Sequence, residues 1–591
     1  MPSSVMPTSH QIAVSATGLR KSYGDKTVLD GIDLRIPAGS VFALLGPNGA
    51  GKTTVVKILS TLVSAGGGQA HVAGHDIAAD PQAVRSAIGV TGQFSAVDGL
   101  ITGEENMLLM ADLHHLPKPE GRRIAADLLE RFDLSEAAKK PASTYSGGMK
   151  RRLDIAMTLV GNPRIIFLDE PTTGLDPRSR HTMWQIIREL VTDGVTVFLT
   201  TQYLEEADEL ADRVAVLNDG KIAAEGTPEE LKRRVPGGHV RLRFTDPAVY
   251  HRAATALNEA TRDDEALALQ IPSAGSQREL RSLLDWLDSA GVEADELTVH
   301  TPRPRRRLLR PDRRPGHRPP PAQGERPMSS LSLAVRDSNT MLRRNLLHAR
   351  RYPSLTLNLL LTPIVLLLLF VYVFGDVMSA GMGGGGGADR SAYIAYVVPG
   401  ILMMTIGGTV VGTAVSVSND MTEGIIARFR TMAIHRGSVL IGHVAGSVLQ
   451  CIASVVLVGA VAVAIGFRST NATALEWLAA LGLLALVALA LTWIAVGMGM
   501  ISPNAEAASN NALPLVVLPL ISSAFVPVEA MPGWFQPIAE YQPFTPAIET
   551  LRGLLLGTEV GYNGWLAVAW CLALSALGYT WSKSTFNRDP K

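Results

Sequence analysis

Two groups of residues in this 591-residue chain have the types and spacing for phosphate chemistry. The first runs without interruption through Gly46, Pro47, Asn48, Gly49, Ala50, Gly51, Lys52, Thr53 and Thr54. Glycines at 46, 49 and 51 let the backbone turn successive N–H groups towards an anion, Lys52 reaches β- and γ-phosphates, and the Thr53 hydroxyl is a Mg2+ ligand. The second is the pair Asp169 and Glu170. Its first carboxylate suits Mg2+ held through water, and its second is placed to orient or deprotonate a water attacking phosphate.

Both groups need elements to aim them. Val41, Phe42, Ala43, Leu44 and Leu45 form a short apolar run of buried-strand type directly before the glycines, and an apolar helical pattern at 55–59 follows. Strand, loop and helix in that order is the setting a phosphate-binding loop requires. Residues 164–168 form a second apolar strand pattern that ends in the two carboxylates, and a third at 195–200 leads into Thr201, Gln202 and Tyr203.

One further run narrows the reading. Tyr145, Ser146, Gly147, Gly148 and Met149, followed by Asp169, Glu170 and the segment 171–177, resemble the signature of the ATP-binding cassette (ABC) proteins. The resemblance implies an α/β P-loop NTPase that binds ATP with Mg2+, and a pairing in which Ser146, Gly147 and Gly148 contact the γ-phosphate held by a second copy. Tyr23 falls where an aromatic ring stacks on adenine, Gln93 where a glutamine touches Mg2+ and senses a membrane domain, and Asp176 in the loop that meets the other copy. The implied metal-binding residues are Thr53, Gln93 and Asp169. Gln202 departs from the family pattern, which has histidine there; glutamine donates a hydrogen bond to phosphate but carries no proton charge. A subfamily trait and a slow site are the two readings of that departure.

The formal net charge is zero, which argues against a nucleic-acid binder with a basic surface. The two cysteines, Cys451 and Cys571, both lie in apolar blocks and read as packing residues rather than as a disulfide or metal site. Residues 1–10 lack the apolar core of a secretory signal, so the N-terminus is expected in the cytoplasm. After 237–238, strand patterns at 239–244, 266–271 and 296–300 alternate with helical patterns at 248–260 and 277–290, a small α/β appendix resembling that of drug-exporter ATPases. Its role is regulatory, dimer-stabilising or purely structural.

Residues 301–327 are dominated by arginine and proline, cannot bury a core and are expected to be disordered. Residues 303–313 can also be encoded so that the next reading frame spells Asp-Leu-Asp-Asp-Val-Phe-Phe-Ala-Leu-Thr-Gly, which resembles the ordinary ending of such a cassette subunit. With a purine-rich coding possibility at 323–325 before Met328, this suggests two neighbouring genes joined by a frame change.

Six apolar blocks follow, at 354–374, 392–417, 439–467, 474–501, 512–528 and 565–581. An even number returns both ends to one side. Arg343, Arg344, Arg350, Arg351, Arg428, Arg430, Arg436 and Lys583 then share a face that the positive-inside rule makes cytoplasmic, with Arg390, Arg468 and Arg552 opposite. Residues 419–430 are expected to form one amphipathic helix that docks on the cassette near Gln93, with Glu423 and Arg428 as its coupling residues; a membrane-surface helix is the alternative. Residues 527–546, with Trp534, Phe535, Tyr541 and Phe544 among prolines, resemble the outer-leaflet helices of type-2 ABC exporters, and Gly408 with Gly412 make a small-xxx-small pair. No charge stands near the middle of a block, which favours a hydrophobic cargo path over an ion relay.

The resemblance therefore covers an ABC cassette at 11–238, the appendix at 239–300, the linker at 301–327 and an all-α six-helix transmembrane domain of ABC-2 type at 328–591. It is close to the daunorubicin-resistance type of drug exporter, with the two halves fused. The implied assembly is a homodimer in the cytoplasmic membrane with cassette and both termini inside, moving a lipophilic cargo outward and binding no nucleic acid. A lipid or glycan precursor as cargo is the alternative, and a non-transporting regulatory ABC protein a third reading.

Overall fold

The computed structural model describes residues 11–234, 239–257, 260–263, 267–272, 277–292, 294–300, 330–351, 353–375, 390–469 and 471–588. The arginine- and proline-rich segment 301–327 lies outside them. The chain divides into two compact units: Met1–Thr53 with Gly66–Gly68 and Ile187–Pro321, and Thr54–Ala65 with Gln69–Ile186 and Ala322–Lys591.

In the first unit, strands Ile12–Tyr23 and Lys26–Pro37 form an antiparallel ribbon around the Gly24–Asp25 turn. The apolar run read as a buried strand is one: Val41–Leu45 lies parallel to and between Thr196–Thr201 and Arg213–Asn218. A strand with parallel partners on both sides and apolar residues on both faces reads as a continuous hydrophobic run rather than an alternating one. Phe42 and Phe198 stack across this pair with ring centroids 5.6 Å apart. The appendix is a four-stranded antiparallel sheet. His239–Arg243 runs at its centre between Ala268–Pro272 and Glu296–His300. A short strand not expected from the sequence, Thr261–Asp263, adds to its edge. Val240, Leu242, Tyr250, Ala253 and Leu269 are its buried core.

In the second unit, Ile88–Thr91 pairs in parallel with Ile165–Asp169, whose five residues are all buried. Helices Gly103–Leu113, Lys118–Arg131 and Gly147–Leu159 surround this pair in sequence. Thr102 and Glu105 close the first of these with a reciprocal capping box, the arrangement that satisfies two orphan N–H groups at a helix start. The helix Ser330–Arg351 then leads to the apolar half. It lies against Gly437–Ala464 because two glycines leave room: a Cβ on Gly442 would sit 2.3 Å from Met341 Cβ, and one on Gly446 2.9 Å from Asn345 Cβ.

Among the described residues four helices are long and apolar enough to cross a bilayer: Ser391–Thr422, Gly437–Ala464, Ala474–Ile501 and Asn563–Asn587. They account for the second, third, fourth and sixth apolar blocks. The first block belongs to helix Pro353–Tyr372, in which the apolar stretch Leu361–Tyr372 is described. The fifth block, 512–528, does not reach the length of a span: its start belongs to a shorter apolar helical stretch, Ala505–Ile521, made of Ala505–Ala512, Pro514–Val517 and a 3-10 turn at Leu518–Ile521. Pro514 and Pro519 remove two N–H donors within one and a half turns. A close neighbour also meets this stretch, since a Cβ on Gly407 would lie 2.6 Å from the Leu515 carbonyl oxygen.

One further expectation changes. Residues 419–430 are not one helix: Ser391–Thr422 continues past Asn419, Gly424 turns the chain at φ +79°, and a separate short helix covers Ile425–Thr431. Gly424 is the break because only glycine adopts that left-handed conformation without strain. The close approaches along the second span within this chain fall on Gly400 and Gly407, whereas a Cβ on Gly408 would meet nothing within 4 Å. The aromatic segment holds helix Gln536–Tyr541 and then a longer buried one, Phe544–Leu556, ended by Gly557 at φ +68°.

Candidate active site

The first unit holds the phosphate loop. Gly46 follows strand Val41–Leu45, and its N–H donates to the Thr201 carbonyl at 3.2 Å, so the loop starts beside the strand end that carries Gln202. A Cβ on Gly46 would lie 2.4 Å from the Leu217 carbonyl oxygen, and one on Gly51 2.8 Å from Leu29 Cδ2. Gly49 at φ +84° and Gly51 at φ +108° turn the backbone where other residues are strained. Lys52 opens helix Lys52–Leu59 and is buried, with its Nζ donating to the carbonyls of Gly46 at 2.8 Å and Pro47 at 3.1 Å. A loop shaped by glycines, with an ammonium folded inside it and a helix N-terminus behind it, fits a nucleotide phosphate chain. Tyr23 ends strand Ile12–Tyr23, with Lys21 Nζ 5.3 Å from its ring centre. Gln202 is partly buried.

The second unit holds the carboxylates. Asp169 is 3% exposed and Glu170 7%. Glu170 sits at φ +47°, a sparsely populated conformation for a residue with a side chain, and its Oε2 accepts from Thr173 Oγ1 at 3.2 Å. Ser146 caps helix Gly147–Leu159, with Met149 N–H donating to its Oγ at 3.3 Å. A Cβ on Gly148 would lie 2.9 Å from Ser179 Oγ, whereas Gly147 faces open space. Asp176 accepts from Ser179 N–H at 3.0 Å and Ser179 Oγ at 2.6 Å, bonds that hold its carboxyl below the ordinary value. Gln93 is exposed, next to Phe94 at 73% exposure. Lys52, Thr53 and Gln202 thus belong to one unit, and Thr54, Gln93, Ser146, Asp169 and Glu170 to the other.

Sequence reasoning missed the densest polar cluster in the second unit. Arg344, on helix Ser330–Arg351, is 3% exposed. Its Nε donates to Asp98 Oδ2 at 2.6 Å, and Nη1 and Nη2 donate to the two oxygens of Asp420 at 2.6 and 2.7 Å. His348 Nε2 lies 2.7 Å from Asp98 Oδ2, and His443 Nε2 lies 3.0 Å from Asp420 Oδ2. Asp98 is five residues beyond Gln93, and Asp420 ends the span Ser391–Thr422. Burial alone would raise the Asp98 carboxyl; Arg344 and His348 more than reverse this and leave it lowered. The bidentate Arg344–Asp420 contact is the strong, geometrically specific form of ion pair.

Lesser contacts repeat the pattern along the same helix. Arg343 pairs with Asp112 at 3.1 Å, Arg351 with Glu105 at 2.6 Å, and His115 with Asp337 at 2.7 Å. Asp337 also accepts from His435 N–H at 2.9 Å. On the short helix Ile425–Thr431, Arg428 is buried against Asp154 and Thr158 of helix Gly147–Leu159, and Phe429 lies under Arg344, whose guanidinium carbon is 5.7 Å from the ring centre. The expected docking residue Arg428 is therefore seated, while the Glu423 side chain is exposed.

His114, next to this joint, packs so closely that a Cβ on Gly161 would lie 2.3 Å from its ring. Burial, with His115 and Arg428 nearby, pushes its pKa down from 6.5 to about 4. The unfolded chain binds a proton below pH 6.5 that the folded ring refuses until about pH 4, so stability is lost as pH falls through that window. The loss by pH 5 is on the order of 2 kcal/mol at most, since each pKa unit corresponds to 1.36 kcal/mol. Melting curves at pH 7.5 and 5.0 should show a smaller acid-induced drop for His114→Asn than for the native chain; equal drops would contradict this.

These geometries define a nucleotide-hydrolysing cassette built onto a membrane domain. The ABC transporter family pattern matches residues 29–173, and that of the ABC-2 type transporter matches 337–556. The Daunorubicin resistance ATP-binding protein DrrA3 of Streptomyces coeruleorubidus is 44% identical over 292 residues, 49% of this chain and 92% of that protein. The Doxorubicin resistance ATP-binding protein DrrA of Mycobacterium tuberculosis is 51% identical over 225 residues, 38% of this chain and 68% of that protein. The Linearmycin resistance ATP-binding protein LnrL of Bacillus subtilis is 32% identical over 302 residues, 50% and 97% respectively. A solved ATP-binding subunit of an ABC transporter is 27% identical, with a TM-score of 0.35 over 38% of this chain and 92% of that one. The chain belongs to the ABC transporter family, an ATPase whose P-loop cassette and ABC-2 type membrane domain share one polypeptide.

Proposed function

We propose that this chain exports a hydrophobic small molecule, with an antibiotic or other lipophilic drug first, across the bacterial cytoplasmic membrane as a homodimer. One cassette and one membrane domain make half a transporter, which supports pairing with a second copy. The observation that carries the proposal is the buried Asp98–Arg344–Asp420 cluster, because it ties the segment after Gln93 to the cytoplasmic end of a span. Relatives named for daunorubicin, doxorubicin and linearmycin resistance support a lipophilic cargo. A relative named for Nod factor export, 40% identical, supports keeping a lipid or glycan precursor as the second reading.

On this proposal Gly46 to Thr54 hold the phosphates of ATP, Tyr23 its base, and Thr53, Gln93 and Asp169 would hold Mg2+. Bound there, the metal neutralises charge on the phosphate oxygens. Glu170 takes the proton of the attacking water at a carboxylate oxygen, and Gln202 donates to the γ-phosphate without changing charge. Ser146, Gly147 and Gly148 serve the nucleotide held by the second copy. The cassette and both termini lie in the cytoplasm, and the boundaries at 238, 300 and 327 separate cassette, appendix, linker and membrane domain. ATPase activity of the reconstituted protein across a panel of lipophilic compounds tests this: stimulation by some members supports export of that class, and stimulation by lipid or glycan precursors alone moves the cargo to the second reading.

A further inference from the structure

Arg151 stands one turn into helix Gly147–Leu159 and is 4% exposed. Its guanidinium faces main-chain carbonyls. Nη2 donates to the Asp169 carbonyl at 3.0 Å and Nε to the Pro171 carbonyl at 3.0 Å. Those two residues flank Glu170, so one planar group grips the backbone on both sides of a residue held at φ +47°. Such a conformation persists only where the surroundings enforce it. Fixing the 169–170 peptide before Glu170 and the 171–172 peptide beyond Pro171 restricts the direction of the Glu170 Cα–Cβ bond, and with it the place its carboxylate can reach. Nη1 donates to the Gly92 carbonyl at 2.6 Å, immediately before Gln93.

A second residue holds the first. Asp154 is fully buried and accepts from Arg151 Nη1 at 3.4 Å on one side and from Arg428 Nη2 on the other. Burial raises the Asp154 carboxyl despite both arginines, so its negative charge depends on their staying close. Arg428 also donates to the Asp154 carbonyl at 3.0 Å and to Thr158 Oγ1 at 3.2 Å, all from Nη2. Its Nε and Nη1 are buried without a hydrogen-bond partner among the described residues. Buried donors left unmatched are costly, so the seat of Arg428 on Asp154 is an incompletely satisfied one.

We propose that Arg151 is a positioning residue for Glu170, that Asp154 orients it, and that Arg428 sets how firmly Asp154 does so. The membrane domain then acts on hydrolysis by aiming the carboxylate through one buried chain of three side chains. Lysine cannot replace Arg151, because a point charge on a flexible stem does not hold three carbonyls in fixed directions. The inference rests on reading Glu170 as the hydrolytic carboxylate.

The test is the steady-state ATPase of the full-length reconstituted protein, with nucleotide affinity read separately by a fluorescent ATP analogue. Arg151→Lys should lower kcat by roughly 100-fold, the size expected when a reacting group is misplaced by about 1 Å, with KM for ATP and analogue affinity within about 3-fold of the native values. Asp154→Asn, nearly isosteric, should lower kcat by roughly 10-fold with the same split, and the double variant should be no slower than Arg151→Lys alone. Asp154→Asn decides the matter where Arg151→Lys lowers the melting temperature. Unchanged kcat in Asp154→Asn, or kcat and affinity falling together, overturns the proposal. A native protein with no ATPase activity would instead overturn the reading of the site itself.

Discussion

Glu170→Gln should bind ATP as tightly as the native chain and hydrolyse it at least ~10³-fold more slowly, the loss expected when a positioned general base is removed. The substitution preserves shape and keeps one acceptor oxygen for Thr173, but replaces the other with an NH2 donor and cannot take a proton. Glu170 is 7% exposed, is held by Thr173 and follows the buried strand Ile165–Asp169, so the amide should occupy the same place with little rearrangement. ATP binding rests on the loop 46–54, which the change leaves untouched. Single-turnover hydrolysis and equilibrium binding of radiolabelled ATP measure the two halves of this expectation. Hydrolysis within about 10-fold of native would remove Glu170 from the role of base, since general-base effects run from ~10² upward.

Arg344→Met should destabilise the joint by about 3–5 kcal/mol, because removing one partner leaves buried charge uncompensated. Two carboxylates, Asp98 and Asp420, share this guanidinium, and both are at most 5% exposed. Without it they face each other with only His348 and His443 to answer them. Denaturant melts of the native and variant chains check the size of the loss. Cargo-stimulated ATPase should fall more than basal ATPase, since Arg344 joins the cassette segment 98–106 to the end of a span and touches none of the loop 46–54. A variant as stable as native would show that the cluster contributes nothing net.

What was legible in the sequence shares one property: proximity along the chain. Residues 46–54 and 164–170 are short runs in which strand, turn and functional group are adjacent, so pattern and chemistry are read together. Arg344 meets Asp420 across 76 positions and Asp98 across 246, and no local pattern pairs them. Arg343, Arg344 and Arg351 were visible only as positive charges marking a membrane face, yet each is bound to a cassette carboxylate, as is Arg428, which the sequence did mark for docking. Arg151 was hidden inside the signature run, where serine and glycines draw the eye and the buried face of the following helix does not.

The misread parts have equally local causes. Apolar composition over 512–528 met the length of a span, but Pro514 and Pro519 decide the backbone before hydropathy does. Residues 419–430 carry one amphipathic pattern on both sides of Gly424, and the pattern cannot register a turn that needs a positive φ. Along the second span the close neighbours within this chain select Gly400 and Gly407, a selection that glycine spacing alone does not make. The encoded ending proposed for residues 303–313 is a property of the coding DNA, and reading that DNA in the next frame decides it.

The central claim is that ATP hydrolysis in the cassette drives outward movement of a hydrophobic molecule through the membrane half. Its most direct measurement is uptake of a fluorescent lipophilic compound into proteoliposomes bearing the purified chain with cassettes facing outward, with ATP added outside and Glu170→Gln vesicles as control. ATP-dependent accumulation that Glu170→Gln abolishes is the predicted result. Hydrolysis of ATP without accumulation of any compound in a broad lipophilic panel, or accumulation equal in the two vesicle preparations, would contradict it.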